Sequence, residues 1–365
     1  MPADRQPASR YQPYLESLAT PGPEEQQLAQ ELSEVLLSIS EQTWQDGHHA
    51  LRSVHAKSHG LLQARLEVLP DLPEVLRQGL FAQPGTFDAV LRLSTTPGDL
   101  LPDRVSTPRG VALRVLEVPG ERLEDSEGQR GQDFIMVNGP QFNSPDARSF
   151  LRSLKLLART TDRAERSKAL GSAFLRGTER ALEAIGSQSA KLKAMGGEPA
   201  HHILGETFFT QLPLRFGDYI AKLQLVPISS ALLALEDAPI DLKQDNALRE
   251  AVSAYFQQHD AVWELRAQLC TNLEDMPVDD PTVAWDEGTS PFQPVARLTA
   301  ARQASWNPDK VRAIDDGAGF SPWHGLQAHR PLGELMRVRK LAYAASQAFR
   351  ASKNGIALEE RRCPV

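Results

Sequence analysis

The sequence predicts an α+β fold, built around an antiparallel β-barrel or strongly curved sheet of about eight strands with surrounding helices. Two patterns support this prediction. Helical periodicity marks both ends of the chain, and short apolar or alternating segments separated by turn residues lie between them. These segments begin at about Arg65 and read ARLEVL, FDAVLRLST, RGVALRVLEV, QDFIMVNG, FTQLPLRF, DYIAKLQLVP, AVWELRAQLCT and VARLTAAR.

Two helices should flank the strands. The first begins near Pro23 and is amphipathic, with apolar positions at helical spacing. These positions are Leu28, Leu32, Val35, Leu36 and Ile39. The last helix is the Ala- and Leu-rich segment after Pro331, and Asn354 and Gly355 should end it. Between the strand segments, residues from about 145 to 195 read as a helical insertion that carries Lys and Arg.

We therefore expect one domain over residues 24–355. Residues 1–23 contain five prolines and many polar side chains, and they predict an arm that either wraps a partner subunit or is loose. Residues 356–365 form a short C-terminal tail.

Composition excludes several classes of protein. The chain has 365 residues, 41% of them hydrophobic, which is typical of a globular protein. No apolar run reaches the roughly 20 residues of a membrane span, and the N-terminus lacks the apolar core of a secretory signal, so we expect a cytoplasmic protein. A net charge of −7 and the lack of a phosphate-binding glycine motif disfavour nucleic-acid and nucleotide binding. Two cysteines are too few for a disulfide framework.

The predicted last helix carries an unusual polar face in RKLAYAASQAFR. Arg339, Tyr343, Ser346 and Arg350 follow one another at intervals of four, three and four residues. In an α-helix, these side chains fall within an arc of roughly 60°. Two cations and a phenol therefore share one face. Taken alone, this is most simply a solvated arginine edge beside a half-buried tyrosine.

Three further polar groups lie beside predicted strands. His55, in LRSVHAKSHG, comes just before the first strand. Arg92 and Ser94 share one side of the next strand, because side chains at i and i+2 align. Asn138 follows an apolar strand and precedes Gly139 and Pro140, a context typical of a turn former. Each group alone also fits a structural role.

In their order along the chain, these segments resemble motifs of the haem catalases. The matching motifs are R-x-V-H-A-K at 52–57, an R-L-S-T strand at 92–95, P-R-G at 108–110, N-x-P at 138–140, and R-x-x-x-Y with a further arginine at 339–350. The C-terminal P-W-H at 322–324 and H-R-P-L-G at 329–333 are similar to the small catalase-related (mini-catalase) haem peroxidases. The resemblance spans nearly the whole chain and implies a catalase-like barrel that binds haem b.

The resemblance also implies roles for these residues. Tyr343 would be the ligand of the ferric haem iron, as tyrosine is in catalase. Arg339 would donate to the phenolate. On the opposite haem face, His55 would move the peroxide proton, Ser94 would orient His55, and Asn138 would hydrogen-bond the peroxide. Three arginines would bind the haem propionates, and these are Arg52, Arg92 and Arg350. Apolar neighbours of the haem or its access channel would be Val54, Phe142 and Phe150.

The function that the resemblance implies is haem-dependent breakdown of hydrogen peroxide through a ferryl intermediate, as a catalase or peroxidase. A second hypothesis is a haem enzyme that reduces or rearranges organic or fatty-acid hydroperoxides. It is favoured by the small-subgroup resemblance and by Thr107, which stands where ordinary catalases have an aspartate. A third hypothesis is a non-catalytic haem-binding protein. The resemblance also leads us to expect a homo-oligomer.

Overall fold

The predicted strand segments pair into one antiparallel sheet in the computed structural model, which describes residues 10–126, 130–158 and 198–356. Within these residues, the sheet has nine strands. Their bounds are β1 Lys57–Val68, β2 Gly85–Thr95, β3 Arg109–Val115, β4 Gln132–Val137, β5 Phe208–Phe209, β6 Leu214–Phe216, β7 Tyr219–Pro227, β8 Ala261–Leu269 and β9 Gln293–Ala300.

The sheet closes into a barrel through β5. The strand order is β5-β4-β3-β2-β1-β9-β8-β7-β6, and β5 pairs with β7 as well as with β4. Eight strands therefore form the closed barrel, as predicted, and β6 forms a hairpin with β7. Closure leaves the barrel strands without a free edge.

One predicted strand is divided in the structure. The segment FTQLPLRF begins at Phe209, the second residue of β5, and ends with β6, and Gln211 between the two strands has a φ of 58°. A left-handed residue interrupts extended backbone, and Pro213 lacks an N–H group for a sheet ladder. The break allows β5 to close the barrel while β6 turns back along β7.

Side-chain alternation separates the barrel interior from its outer face. Leu91 and Leu93 of β2 belong to the large buried cluster that fills the barrel. The residues between and after them, Arg92 and Ser94, contact segments outside the barrel. The polar residues predicted for β2 are thus presented toward the surrounding helices and loops.

Six α-helices accompany the barrel in the described parts of the chain. They are α1 Glu25–Gly47, α2 Ala147–Ala158, α3 Ser230–Leu233, α4 Ala247–Gln258, α5 Pro308–Lys310 and α6 Glu334–Lys353. A π-helical turn, Val311–Gly317, continues directly from α5. Short 3₁₀ turns are Glu16–Ala19, Glu74–Leu76, Gly79–Phe81, Glu124–Ser126, Ile203–Gly205 and Gln327–His329.

The two predicted terminal helices pack against each other. α1 buries Leu32 and Leu36 in one apolar cluster with Leu335 and Val338 of α6. The α6 C-terminus is capped by Asn354, whose backbone N–H donates to the Arg350 carbonyl oxygen. Both helix predictions are confirmed, and their apolar stripes face each other as the periodicity requires.

The described part of the N-terminal arm lies on this chain's own barrel. The backbone N–H of Gln12 donates to the Cys270 carbonyl oxygen at 2.8 Å, and that of Tyr14 donates to Asp218 at 2.8 Å. Leu18 packs against the buried cluster beside these strands. Backbone and apolar contacts thus hold this part of the arm on the chain itself, and contact of the arm with a partner subunit stays a prediction. Only α2 of the predicted 145–195 insertion is described, and the remainder lies outside the described residues.

Candidate functional site

His55 lies against the outer face of β2 and β3. Its Nδ1 is 3.3 Å from the Ser94 hydroxyl oxygen, so the predicted contact between them is present. Ser94 pairs in register with Gly110. A Cβ atom on Gly110 would lie 2.6 Å from His55 Cε1 and 2.8 Å from Nδ1. The imidazole therefore occupies space that only glycine leaves open at position 110.

Burial keeps the His55 imidazole neutral. Desolvation first, and then the positive charges of Arg92 and Arg339, lower the pKa of His55 to about 3. A neutral imidazole has one ring nitrogen that accepts a proton. At neutral pH, His55 is thus available as a proton acceptor and not as a cation.

Arg92 fixes the backbone at His55. Its two terminal nitrogens donate to the carbonyl oxygens of His55 and Ala56, both at 2.9 Å. Its Nε donates to Asp315 Oδ1 at 2.6 Å. His55 has a φ of 55°, a left-handed conformation that non-glycine residues rarely adopt. The charged hydrogen bonds from Arg92 help to hold this conformation.

Arg52 and Arg350 also donate hydrogen bonds to the π-helical turn and the residue that follows it. Arg52 Nη2 donates to the carbonyl oxygens of Asp315 at 2.9 Å and Ala318 at 2.7 Å. Arg350 Nη1 donates to the carbonyl oxygens of Asp315 and Asp316, both at 3.1 Å. The three predicted propionate-binding arginines, Arg52, Arg92 and Arg350, therefore converge on one turn, and we call them the arginine cluster.

The arginine cluster carries more positive charge than its protein partners neutralise. Within the described residues, Asp315 is the one carboxylate that forms ion pairs with the cluster, at 2.6 Å from Arg92 and 3.9 Å from Arg52. The buried Nε atoms of Arg52 and Arg350 have no hydrogen-bond partner there. Burial and the neighbouring guanidiniums lower the pKa of Arg350 to about 10 and that of Arg52 well below its ordinary value. A bound anion would compensate this buried positive charge.

The tyrosine on α6 has the arginine partner that the spacing predicts. Arg339 Nη2 donates to Tyr343 Oη at 2.8 Å. The Arg339 guanidinium also lies over the Phe142 ring, 5.9 Å from its centroid. Phe142 and Phe150 are in edge-to-face contact, with ring centroids 5.2 Å apart. The two predicted phenylalanines thus pack against each other beside Arg339.

A serine pair connects this helix face to the histidine segment. Ser53 Oγ donates to Ser346 Oγ at 2.9 Å. Ser346 is one turn after Tyr343 on α6, and Ser53 is two residues before His55. The charge of Arg339 also acts on the His55 imidazole. The fold therefore brings both halves of the predicted site together, although 284 to 288 residues separate His55 from Arg339 and Tyr343 in the sequence.

The side chain of Asn138 is bonded to Arg109 and to two glutamates. Its Oδ1 accepts from the Arg109 backbone N–H at 2.9 Å, and its Nδ2 donates to Glu198 at 2.7 Å and Glu206 at 3.3 Å. The Arg109 guanidinium pairs with Glu206 at 2.5 Å. The amide thus has protein partners for its oxygen and for both of its hydrogens. Val54, the remaining predicted residue, is exposed by 37%.

Sequence reasoning missed Asp315 and the carboxylates beside Asn138. Asp315 lies in A-I-D-D-G, which belongs to none of the motifs of the resemblance. Glu198 and Glu206 flank the loop after the insertion, and nothing in their spacing points to Asn138. Their partners come from distant segments, so only the folded chain shows the contacts.

The fold is that of the catalases. The chain matches no protein-family model and no curated protein. Among solved structures, it matches catalase A from Saccharomyces cerevisiae with a TM-score of 0.61 and 17% identity, over 89% of this chain and 65% of that one. A fungal catalase matches with a TM-score of 0.60 and 16% identity, over 88% and 63% of the two chains. A bacterial catalase matches with a TM-score of 0.59 and 18% identity, over 88% and 60%.

The chain therefore spans less than two thirds of the length of these catalases. At identities of 16 to 18%, the likeness shows the fold. Separately, none of the helices in the described segments is long and apolar enough to cross a membrane.

Proposed function

We propose that this protein is a haem-dependent catalase or peroxidase of the small catalase-related type, with Tyr343 as the iron ligand. The observation that carries the proposal is the Arg339–Tyr343 hydrogen bond of 2.8 Å on α6, two turns before Arg350 of the arginine cluster. A guanidinium that donates to a phenol oxygen stabilises its phenolate form, which is the form that binds ferric iron. The fold and the five sequence motifs support the same function.

Haem b fits the residues on both sides of the site. The arginine cluster has two buried Nε atoms without hydrogen-bond partners among the described residues, and a haem brings two propionates. Arginine forks bind carboxylates well, so Arg52 and Arg350 would hold these groups. Phe142 and Phe150 would offer apolar contact to the ring. Arg92 contributes positive charge, but its Nε and one hydrogen of each terminal nitrogen are already bonded within the protein.

His55 would act as the base on the opposite side. A bound ferric haem supplies the two-electron redox chemistry. His55, neutral because its pKa is lowered to about 3, would accept a proton from a hydroperoxide and return it to the departing oxygen. Ser94, 3.3 Å from Nδ1, would orient the ring. Asn138 would hold the strand ends in place, because its amide is bonded to Arg109, Glu198 and Glu206.

A second candidate is a haem enzyme that reduces or rearranges organic or fatty-acid hydroperoxides. The bonded amide of Asn138 favours it, because His55 with Ser94 is then the polar pair available to the peroxide. A single base assists O–O cleavage in any hydroperoxide, and it does not select for hydrogen peroxide.

The test of the proposed function is Tyr343→Phe. The variant keeps the ring and removes the phenol oxygen, so we expect the ferric haem spectrum of the reconstituted protein to be lost or strongly altered. Tyr255→Phe is the matched control, because Tyr255 Oη donates to the Asp260 carbonyl oxygen elsewhere on the barrel. A Tyr343→Phe spectrum identical to that of the parent protein would refute the assignment.

Substrate comparison separates the two candidates. The reconstituted protein is given hydrogen peroxide, cumene hydroperoxide and linoleate hydroperoxide in turn, and oxygen release and peroxide loss are both measured. Oxygen release from hydrogen peroxide supports the first candidate. Rapid loss of the organic hydroperoxides without oxygen release supports the second. Haem binding without either reaction would make the protein a haem carrier and overturn both.

A further inference from the structure

Asp315 links segments that are far apart in the sequence. Its carboxylate accepts from Arg92 Nε on β2 and from the Ser58 hydroxyl on β1, both at 2.6 Å. Its carbonyl oxygen accepts from Arg52 and from Arg350 on α6. Asp315 is therefore a shared partner of all three members of the arginine cluster.

The contact with Arg92 reaches the histidine in two steps. Asp315 fixes Nε of Arg92, and the other two nitrogens of the same planar guanidinium hold the His55 and Ala56 carbonyl oxygens at 2.9 Å. A planar fork with three fixed nitrogens has little freedom to rotate. A single guanidinium thus connects the Asp315 carboxylate to the His55 backbone.

The His55 backbone needs such an anchor. Its φ of 55° is a left-handed conformation, which costs a histidine on the order of 1 kcal/mol. The imidazole must also remain beside Gly110, where a shift of the ring would lose the 3.3 Å contact with Ser94. Release of Arg92 would let the segment return to a more common conformation and move the ring.

We propose that Asp315 is a positioning residue for His55, acting through Arg92 and without touching the substrate. The inference rests on the proposed function for its catalytic meaning, because His55 is the base there. Its structural content does not depend on haem, so it can be tested on the protein without cofactor.

The alternative is that the Asp315–Arg92 ion pair stabilises the fold and has no specific effect on His55. In that case, removal of the Asp315 charge would loosen the fold as a whole, and every buried histidine would become more reactive. If Asp315 positions His55, the change should be concentrated at His55. His202, which is bonded to the Leu204 backbone N–H in the turn Ile203–Gly205, provides the internal reference.

The experiment compares Asp315→Asn with Asp316→Asn in the cofactor-free protein. The first variant keeps size and removes the charge that Arg92 contacts. The second alters the neighbouring carboxylate, which faces His49 at 2.9 Å. Modification of each histidine by diethyl pyrocarbonate is followed by mass spectrometry. A urea titration confirms that each variant is folded.

We expect His55 to react about tenfold faster in Asp315→Asn, in line with loss of one charged hydrogen bond. The rate at His202 should not change, Asp316→Asn should match the parent protein, and Asp315→Glu should restore part of the protection. Equal rates at His55 in all variants, or parallel increases at His55 and His202, would overturn the proposal.

Failure of the positioning role and failure of the proposed function remain distinguishable. Loss of the spectrum in Tyr343→Phe together with an unchanged His55 rate in Asp315→Asn would remove only the positioning role. An unchanged spectrum in Tyr343→Phe together with faster reaction of His55 in Asp315→Asn would keep the positioning role of Asp315 and would mean that another residue binds the iron.

Discussion

At the scale of single residues, the absence of a side chain at Gly110 decides where His55 can lie. The imidazole occupies the space that a Cβ atom would take, with ring atoms 2.6 and 2.8 Å from its position. Real Cβ atoms do not approach other atoms so closely, so the ring or the strand must move if one is added. The glycine of P-R-G thus has a steric role beside the histidine.

Gly110→Ala should therefore displace the imidazole and leave Tyr343, the proposed iron ligand, in place. We expect peroxide turnover by the reconstituted protein to fall about 100-fold, the effect of misplacing a reacting group by about 1 Å. The ferric haem spectrum should be retained, because Tyr343 is on another element. Turnover and spectrum are measured on the same preparation.

Gly139→Ala is the matched control for this substitution. The nearest atom to a Cβ atom at position 139 is Gln211 Nε2 at 3.9 Å, an ordinary contact. The control should keep nearly full turnover. If Gly110→Ala were as active as Gly139→Ala, the proposed role of the His55 ring position would be refuted.

At the residue scale, sequence spacing alone predicts a contact between side chains one helical turn apart. Arg339 and Tyr343 are one helical turn apart, so their hydrogen bond follows from the periodicity. Asn138 is different, because its side chain could turn toward either side of a strand end. The loop that brings Glu198 and Glu206 decides its direction, and no local rule predicts that choice.

At the scale of elements, a buried ion pair joins the start of α1 to α6. Arg337 Nε and Nη2 donate to the two carboxylate oxygens of Glu25 at 2.8 and 2.7 Å. Arg337 Nη1 also donates to the Leu18 carbonyl oxygen of the arm. The pair thus holds together the arm, the first helix and the helix that carries Tyr343.

Arg337→Ala should destabilise the protein by about 3 kcal/mol, because it leaves the Glu25 carboxylate buried without its partner. The free energy of unfolding is measured by urea titration at neutral pH. Arg148→Ala is the control, since Arg148 pairs with Glu24 on the surface and exposed pairs contribute below about 1 kcal/mol. Equal losses in the two variants would contradict the importance assigned to burial.

Sequence patterns predicted elements well when the period was long and uniform. The apolar stripe of α1 and the final helix were identified this way, as were the segments that became strands. The π-helical turn Val311–Gly317 was not predicted, because its shape depends on the guanidiniums that bind its carbonyl oxygens. Elements held by distant side chains have no periodic signature.

At the scale of the whole molecule, several buried neutral histidines make stability depend on pH. Burial is the largest cause in each case, and it lowers the pKa of His55 to about 3 and those of His202 and His329 to about 4. The pKa of His59 is lowered well below its ordinary value. In the unfolded chain, a histidine binds a proton near pH 6.5.

Stability decreases as pH falls, because the unfolded chain binds protons that the folded chain does not. Above pH 6.5 both states are neutral at these positions, and the full stability is present. As pH falls from 6.5 toward 4, the unfolded chain gains protons that the folded chain does not accept, so stability is lost at about 1.4 kcal/mol per histidine and pH unit. The free energy of unfolding should be several kcal/mol lower at pH 5.5 than at pH 7.

Urea titrations at a series of pH values measure this slope. His202→Asn removes one of the groups while keeping an acceptor for the Leu204 N–H, and it should reduce the slope by about one proton. A stability that is the same at pH 7 and pH 5.5 would show that these histidines are not held neutral by the fold.

The overall architecture was predictable because the different sequence patterns all indicate the same fold. Alternating segments, turn residues and flanking helices all indicate an antiparallel barrel. The strand that closes the barrel was predicted only as part of the longer segment FTQLPLRF, because Phe208 and Phe209 are too few residues to form an alternating pattern of their own. Closure depends on long-range pairing, which the local pattern does not specify.

Because β5 has two residues, the strand pairings around the barrel differ greatly in length. Among the described residues, β5 joins β4 through the single pairing of Val137 with Phe209, whereas β1 and β2 pair along nearly their whole length. Backbone amides in a short ladder exchange with solvent through smaller and less costly fluctuations. We therefore expect backbone amides of β4 and β5 beside Asn138 to exchange with solvent before those of β1 and β2.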